Sequence, residues 1–120
     1  MKILITGAVG FIGFSFANYI LKNKKNKVWG IDNFDNYYSL KLKKERLKLL
    51  KKNKNFYFYK INIYEKKKLN QFIKKRKFDY VFHFAAQAGI RYSFIYPEKY
   101  INSNINGYFN LLESLKDKKI

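Results

Sequence analysis

The sequence predicts an α/β chain: a doubly wound parallel sheet, truncated after about four strands, in the order 3-2-1-4. Three observations lead there. Short apolar runs alternate four times with longer amphipathic stretches across 120 residues, with no repeats, linkers or low-complexity tails apart from lysine runs. The first run, Ile3-Leu4-Ile5, leads into a helical pattern through a glycine-spaced turn, Gly7-x-x-Gly10-x-x-Gly13. The fourth, Tyr80-Val81-Phe82-His83-Phe84, is almost continuously apolar, as a parallel strand covered on both faces should be. Right-handed crossovers then place the first strand near the middle of the sheet.

Taken in order, the first helix begins near Gly10 or Phe11, turns Ile12, Phe16 and Ile20 inward, and ends in the Asn/Lys-rich stretch from Lys22 to Lys27. Val28-Trp29-Gly30-Ile31 is a second strand ending at Asp32. The Asn/Asp-rich stretch Asn33 to Tyr38 is a loop, and Ser39 can cap a basic helix running to about Lys52 with Leu40, Leu47 and Leu50 inward. Phe56 to Tyr59 alternates as a third strand, with Asn62 just past its end. Tyr64 to Lys75 is a helix burying Leu69, Phe72 and Ile73. After the fourth strand, Ala85 to Tyr96 reads as a small-residue loop stopped by Pro97. In the final helix Ile101, Ile105, Tyr108, Phe109, Leu112 and Leu115 recur at three- and four-residue steps, a wide apolar stripe.

Composition sets outer limits. A chain of 120 residues with 48% apolar and 20% aromatic content can bury one core and is no disordered polymer. It has no cysteine, which excludes disulfides, cysteine-liganded zinc and thiolate catalysis. Only three apolar residues separate Met1-Lys2 from Thr6, too few for a signal peptide, and no stretch reaches membrane-spanning length, so cytoplasm is the default location. The net charge of +18 raises nucleic acid as a partner. Against that, the lysines are spread over every predicted surface segment, and the aromatics sit on core faces, not on one exposed stacking platform.

The glycine turn carries the chemistry. Gly7, Gly10 and Gly13 permit a sharp strand-to-helix turn, close approach of backbone to a ligand, and close packing of helix on strand. Helix-start amides have no partner within the helix and sit at the positive end of its dipole, so the ligand expected there is a pyrophosphate. Asp32 lies about 20 residues beyond the last glycine, where a dinucleotide site wants an acid for the adenosine ribose. In a sheet of this order ligands bind at the carboxyl ends of the strands, where the order reverses between strands 1 and 4. Around that point the topology gathers the glycine turn, Asp32, Asn62 and the loop from Ala85 to Ser93.

Thr6-Gly7-x-x-Gly10-x-x-Gly13, Gly30-Ile31-Asp32-Asn33, His83-x-Ala85-Ala86 and Asn104-x-x-Gly107-x-x-Asn110-Leu111-Leu112-Glu113 resemble the extended short-chain dehydrogenase/reductase family, the NAD-dependent nucleotide-sugar epimerases and dehydratases. The likeness covers essentially the whole chain. Within that family, Asp32 to Tyr38 and Ala86 to Ser93 resemble the UDP-glucuronate 4-epimerases.

The resemblance implies a Rossmann-type domain with NAD across the crevice and a UDP-sugar as substrate of the full-length enzyme. It implies that Phe11 and Ile12 give amides to the pyrophosphate, Asp32 and Asn33 bind the adenosine ribose, and Asn62 and Ile63 bind the adenine. Phe84, Ala85, Ala86, Gln87 and Ala88 would follow the middle of the cofactor, and Asn104 the nicotinamide end; Arg91 and Ser93 would touch substrate. An uncompensated Asp32 carboxylate would favour NAD over NADP, because it accepts from a ribose hydroxyl and repels a 2′-phosphate, and the many nearby lysines weaken that preference without reversing it. The family usually has Asp where this chain has Asn62, which weakens adenine recognition without abolishing it, since an amide oxygen still accepts.

The family's proton-transfer pair, Tyr-x-x-x-Lys, lies on a helix after strand 5. Tyr37/Lys41 and Tyr64/Lys68 have that spacing but precede strand 4, so no catalytic residue is assigned. Residues 1–120 therefore read as the N-terminal part of an NAD-binding domain, without the catalytic helix or substrate domain and inactive alone. Two alternatives stand beside this: a self-standing dinucleotide-binding module and a basic nucleic-acid-binding protein. Homodimerisation through the last helix is open, because its stripe and one side of strand 4 would lack cover.

Overall fold

A computed structural model describes all residues from Met1 to Ile120. Four parallel strands form one sheet in the order β3-β2-β1-β4: β1 (Lys2–Thr6), β2 (Lys27–Asp32), β3 (Phe56–Lys60) and β4 (Tyr80–His83). The predicted order holds. β1 pairs with a strand on each side, which is why Ile3, Leu4, Ile5 and Thr6 are buried. Thr6 is opposite Ile31 on one side and His83 on the other, so the carboxyl ends of the inner strands finish level.

Six α-helices complete the chain: α1 (Phe11–Ile20), α2 (Leu40–Leu50), α3 (Lys66–Lys74), α4 (Ile90–Ile95), α5 (Pro97–Tyr100) and α6 (Tyr108–Leu115). Between α5 and α6 the backbone is π-helical over Ile101–Gly107. Strand alternation divides the core in two. Ile3, Ile5 and Val28 face Ala17 of α1 and Leu50 of α2, whereas Leu4 and Ile31 face Leu69, Phe72 and Ile73 of α3 and Leu111 of α6. Each face of the sheet is thus covered by helices, as a parallel sheet requires. No helix is long and apolar enough to cross a membrane.

Several sequence expectations change. β4 is half-exposed along Val81, Phe82 and His83, and Tyr80 is exposed, because only β1 pairs with it; an edge strand has one uncovered side. The stretch 85–96 is not all loop, since it contains α4. Ile12 and Leu40 are exposed: α1 turns Gly13 and Ala17 to the sheet, and in α2 the buried positions are Lys43 and Leu50. The stripe on the last helix is also largely outside. Ile101, Ile105, Tyr108, Phe109 and Leu112 are exposed, while Gly107, Asn110 and Leu111 face inward. The three- and four-residue spacing holds on both sides of the π-helical segment, but the face it marks is the uncovered one, in keeping with the expectation that this stripe lacks cover.

Candidate functional site

At the carboxyl edge of the sheet lies a cavity of about 710 Å³, lined by the glycine turn, the start of α1, both ends of the β2–α2 loop, the chain after β3 and the loop after β4. Its floor is set by backbone constraints. Gly7 has φ +66°, and a Cβ there would stand 2.7 Å from the backbone of Phe84 and Ala85. A Cβ on Gly13 would be driven into the Gly7 carbonyl, so α1 can start this close to β1 only with glycine there. Gly10 precedes α1 in extended conformation, and no side chain caps the helix. Its opening amides therefore face the cavity, where Gly10, Phe11, Ile12 and Gly13 form the wall.

One end of the cavity is set by Asp32. It is 6% exposed, and its carboxylate accepts from the amides of Val9 (3.3 Å) and Phe34 (2.8 Å). The ammonium of Lys43, itself buried, stands 3.7 Å from Asp32 Oδ1 and donates to the Asp35 carbonyl at 3.0 Å. Asp32 is thus compensated, which corrects the expectation of an uncompensated carboxylate. The two charges offset each other at a site from which water is largely excluded, and repulsion of a second anion is correspondingly reduced. One turn along α2, Arg46 donates to the Val9 carbonyl at 3.3 Å and lies over the rings of Phe11 and Phe14. Lys43 and Arg46 both line the cavity. Sequence reading missed them; the available signal was the Lys43-x-x-Arg46 spacing, which sets two cations on one side of a helix that begins beside Asp32.

Beyond Asp32 the wall continues through Asn33, Asn62 and Ile63. Asn62 Oδ1 accepts from the Tyr64 amide at 3.1 Å, an Asx turn that leaves its NH₂ and one lone pair free. Buried Asn110 donates to the carbonyls of Ile63 and Tyr64, fixing this segment from α6. Opposite, Phe84, Ala85, Ala86, Gln87 and Ala88 line the cavity. Thr6 Oγ1 accepts from the Ala85 amide and lies 2.6 Å from His83 Nδ1. Burial holds the His83 imidazole below its usual pKa, and the ring stacks on Tyr108, so it is a neutral packing group that ties β4 to β1.

Three expected residues are placed elsewhere. Asn104, in the π-helical segment, does not line the cavity: its amide accepts from the Gln87 N–H at 2.7 Å and donates to the Gln87 carbonyl at 3.0 Å, bracketing the cavity wall from behind. Arg91 is exposed on α4, and Ser93 donates to the Ile90 carbonyl; neither reaches the cavity. Of the two Tyr-x-x-x-Lys spacings, Tyr37 packs on Tyr38 and Tyr92, and Lys68 pairs with Glu65.

Comparison with known proteins places the chain among sequences and structures of similar fold. The family model described as GDP-mannose 4,6 dehydratase matches residues 4–120. A UDP-glucuronate 4-epimerase of Thermodesulfobacterium geofontis is 43% identical over 114 residues, which make up 95% of this chain and 35% of the relative. Among solved structures, UDP-glucuronic acid 4-epimerase from Bacillus cereus, in complex with UDP-glucuronic acid and NAD, superposes with a TM-score of 0.90 at 36% identity, covering 99% of this chain and 37% of the other. The UDP-Glc/GlcNAc 4-epimerase of Campylobacter jejuni gives 0.82 at 27% identity, covering 98% and 34%. The chain therefore spans about a third of the length of these relatives.

Proposed function

Since this chain belongs to the family described as GDP-mannose 4,6 dehydratase, whose model matches it from residue 4 to residue 120, we propose that its cavity binds NAD. We further propose that it forms the cofactor-binding portion of a nucleotide-sugar 4-epimerase acting on UDP-glucuronate. One observation carries the reading. A single cavity joins an uncapped helix start, a buried acid and an amide-bearing loop in the sequence that a dinucleotide's pyrophosphate, ribose and adenine would need. Gly13 fits the same group, because a Cβ there would destroy the close approach of α1 to β1 on which the exposed amides depend.

Each residue then has a task set by its chemistry. The Phe11 and Ile12 amides, with the Arg46 guanidinium beside them, offer donors and positive charge to the pyrophosphate. Asp32, already oriented by two backbone amides, keeps lone pairs for a ribose hydroxyl, and the Lys43 ammonium stands 3.7 Å from it. Asn33 would flank that ribose, and Asn62 and Ile63, which line the same cavity, would receive the adenine edge. Phe84 to Ala88 give the opposite wall, held in place by Thr6 and Asn104 acting from behind. Asp32 favours NAD over NADP, because a 2′-phosphate would have to shed water beside a buried carboxylate; Lys43 narrows the margin. NAD, when bound, supplies a reversible acceptor for the hydride on sugar C4. The chain's own part is to bind and orient; no side chain lining the cavity is assigned to proton transfer.

Titration of the purified chain with NADH, followed by nicotinamide fluorescence, tests this. Saturable binding weaker than about millimolar would not count; the expected result is saturation below that, lost in Asp32→Ala, with no conversion of UDP-glucuronate by the chain alone. Absence of a signal at millimolar NADH would overturn the binding assignment, and measurable epimerisation would overturn the assignment of inactivity.

A further inference from the structure

The two loops that flank the cavity mouth are tied to one another by residues outside its floor. The β2–α2 loop contributes Asp35 and Tyr37, which line the cavity; the opposite rim, after β4, contributes Ala88. Because β2 and β4 lie on either side of β1, a bond between these loops joins chain from opposite sides of the strand that ends in the glycine turn. Such bonds exist. Lys99 Nζ lies 3.5 Å from Asp35 Oδ2 and donates to the Tyr92 hydroxyl at 3.0 Å. The same ammonium stands over the Tyr92 and Tyr96 rings, at 5.3 and 5.6 Å from their centroids. Tyr37 packs on Tyr92 with ring centroids 4.7 Å apart, and its hydroxyl occupies the space beside Gly89. Tyr100 fixes the far rim by donating to the Ala88 carbonyl at 2.8 Å.

We propose that Lys99 is the latch of a strap, formed by Asp35, Tyr37 and Tyr92, that closes over the cavity and slows escape of the dinucleotide bound beneath it. This rests on the reading of the cavity as an NAD site. Lys99 does not line the cavity, so it is a positioning residue: it acts by holding Asp35 and Tyr92 together. Asp35 is suited to the task because its other carboxylate oxygen accepts from the Tyr37 amide at 2.9 Å, while its carbonyl accepts from Lys43, so the residue is tied to the cavity side of its loop. Closure then depends on one ammonium that is 38% exposed, poised to bond on one side and be released on the other.

The test compares the full chain with Lys99→Met and Lys99→Arg. Release of NADH is followed by stopped-flow displacement, and amide hydrogen exchange is measured without ligand. Loss of an exposed ion pair and its cation–π contacts should raise the NADH dissociation rate about three- to tenfold in Lys99→Met, with the association rate changed by less than about twofold. Lys99→Arg, which keeps the charge and the ring contact, should stay near the parent rate. Exchange at residues 33–38 and 88–96 should quicken in Lys99→Met while β1 and β2 stay protected. Unchanged exchange in those segments, or an unchanged dissociation rate with NADH bound, would overturn the strap. Failure of the parent chain to bind NADH would instead refute the dinucleotide reading, and the exchange result would still decide whether Lys99 latches the loops.

Discussion

Lys43→Met isolates the interaction on which the ribose end of the cavity depends. In the parent chain the side chains of Lys43 and Asp32 are 9% and 5% exposed and their charged atoms are 3.7 Å apart. At an effective dielectric of about 20, that separation corresponds to an attraction of about 4 kcal/mol. Removing one partner leaves a buried carboxylate facing only the Val9 and Phe34 amides, and lost pairs of this kind cost about 3–5 kcal/mol. The separation exceeds a hydrogen bond and the two amides remain, so the expected loss is lower, about 2 kcal/mol. For a domain of this size that shifts the melting midpoint by about 8 °C, measurable by far-ultraviolet circular dichroism. The double variant Asp32→Asn, Lys43→Met removes both charges and should recover to within about 1 kcal/mol of the parent, because no uncompensated ion is left buried. A Lys43→Met midpoint within about 2 °C of the parent would show that water or the loop already neutralises Asp32, and the account of a compensated carboxylate would fail.

The same geometry yields two further outcomes. Gly13→Ala forces a methyl group into the Gly7 carbonyl, so it should cost more than about 2 kcal/mol in urea unfolding and abolish NADH binding. Retention of both properties would mean that α1 can shift away from β1 freely. His83 is held below its usual pKa by burial, so the unfolded chain takes up a proton more readily than the folded one. Stability is therefore full above about pH 6.5 and is lost as pH falls from there through the lowered folded value. Stability measured in urea from pH 7.5 to pH 5 should decline on that acid limb, and His83→Gln should flatten it.

Much of the frame was legible because its causes are local. A glycine with positive φ at the end of a strand, an Asp at the end of the next strand, and apolar runs of strand length are constraints that act over a few residues. Ser39 was readable as a cap for the same reason, and it accepts from the Leu42 amide as a cap should. Which side of the last helix packs inward was not readable, since apolar spacing marks a face without saying what covers it: Ile105 and Phe109 lie outside, while Asn110 and Leu111 pack inward. Arg91, Ser93 and Asn104 carry polar groups of the right kind in the right stretch, yet where each points depends on how α4 and the π-helical segment pack.

The amino-acid order alone determined the βα alternation, the sheet order and the place of the glycine turn, because hydrophobic period and backbone permissiveness belong to short segments and crossover handedness does the rest. Only the tertiary structure decided which acceptor each cation meets: Lys43 the Asp32 carboxylate, Arg46 the Val9 carbonyl, Lys99 the Asp35 carboxylate. In a chain with 26 basic residues, the Lys43-x-x-Arg46 spacing puts two cations on one side of α2 but does not say which acceptor each one meets, and no local pattern marks Lys99. Their selection comes from where α2 packs against Asp32 and the glycine turn, and from where α5 meets the β2–α2 loop.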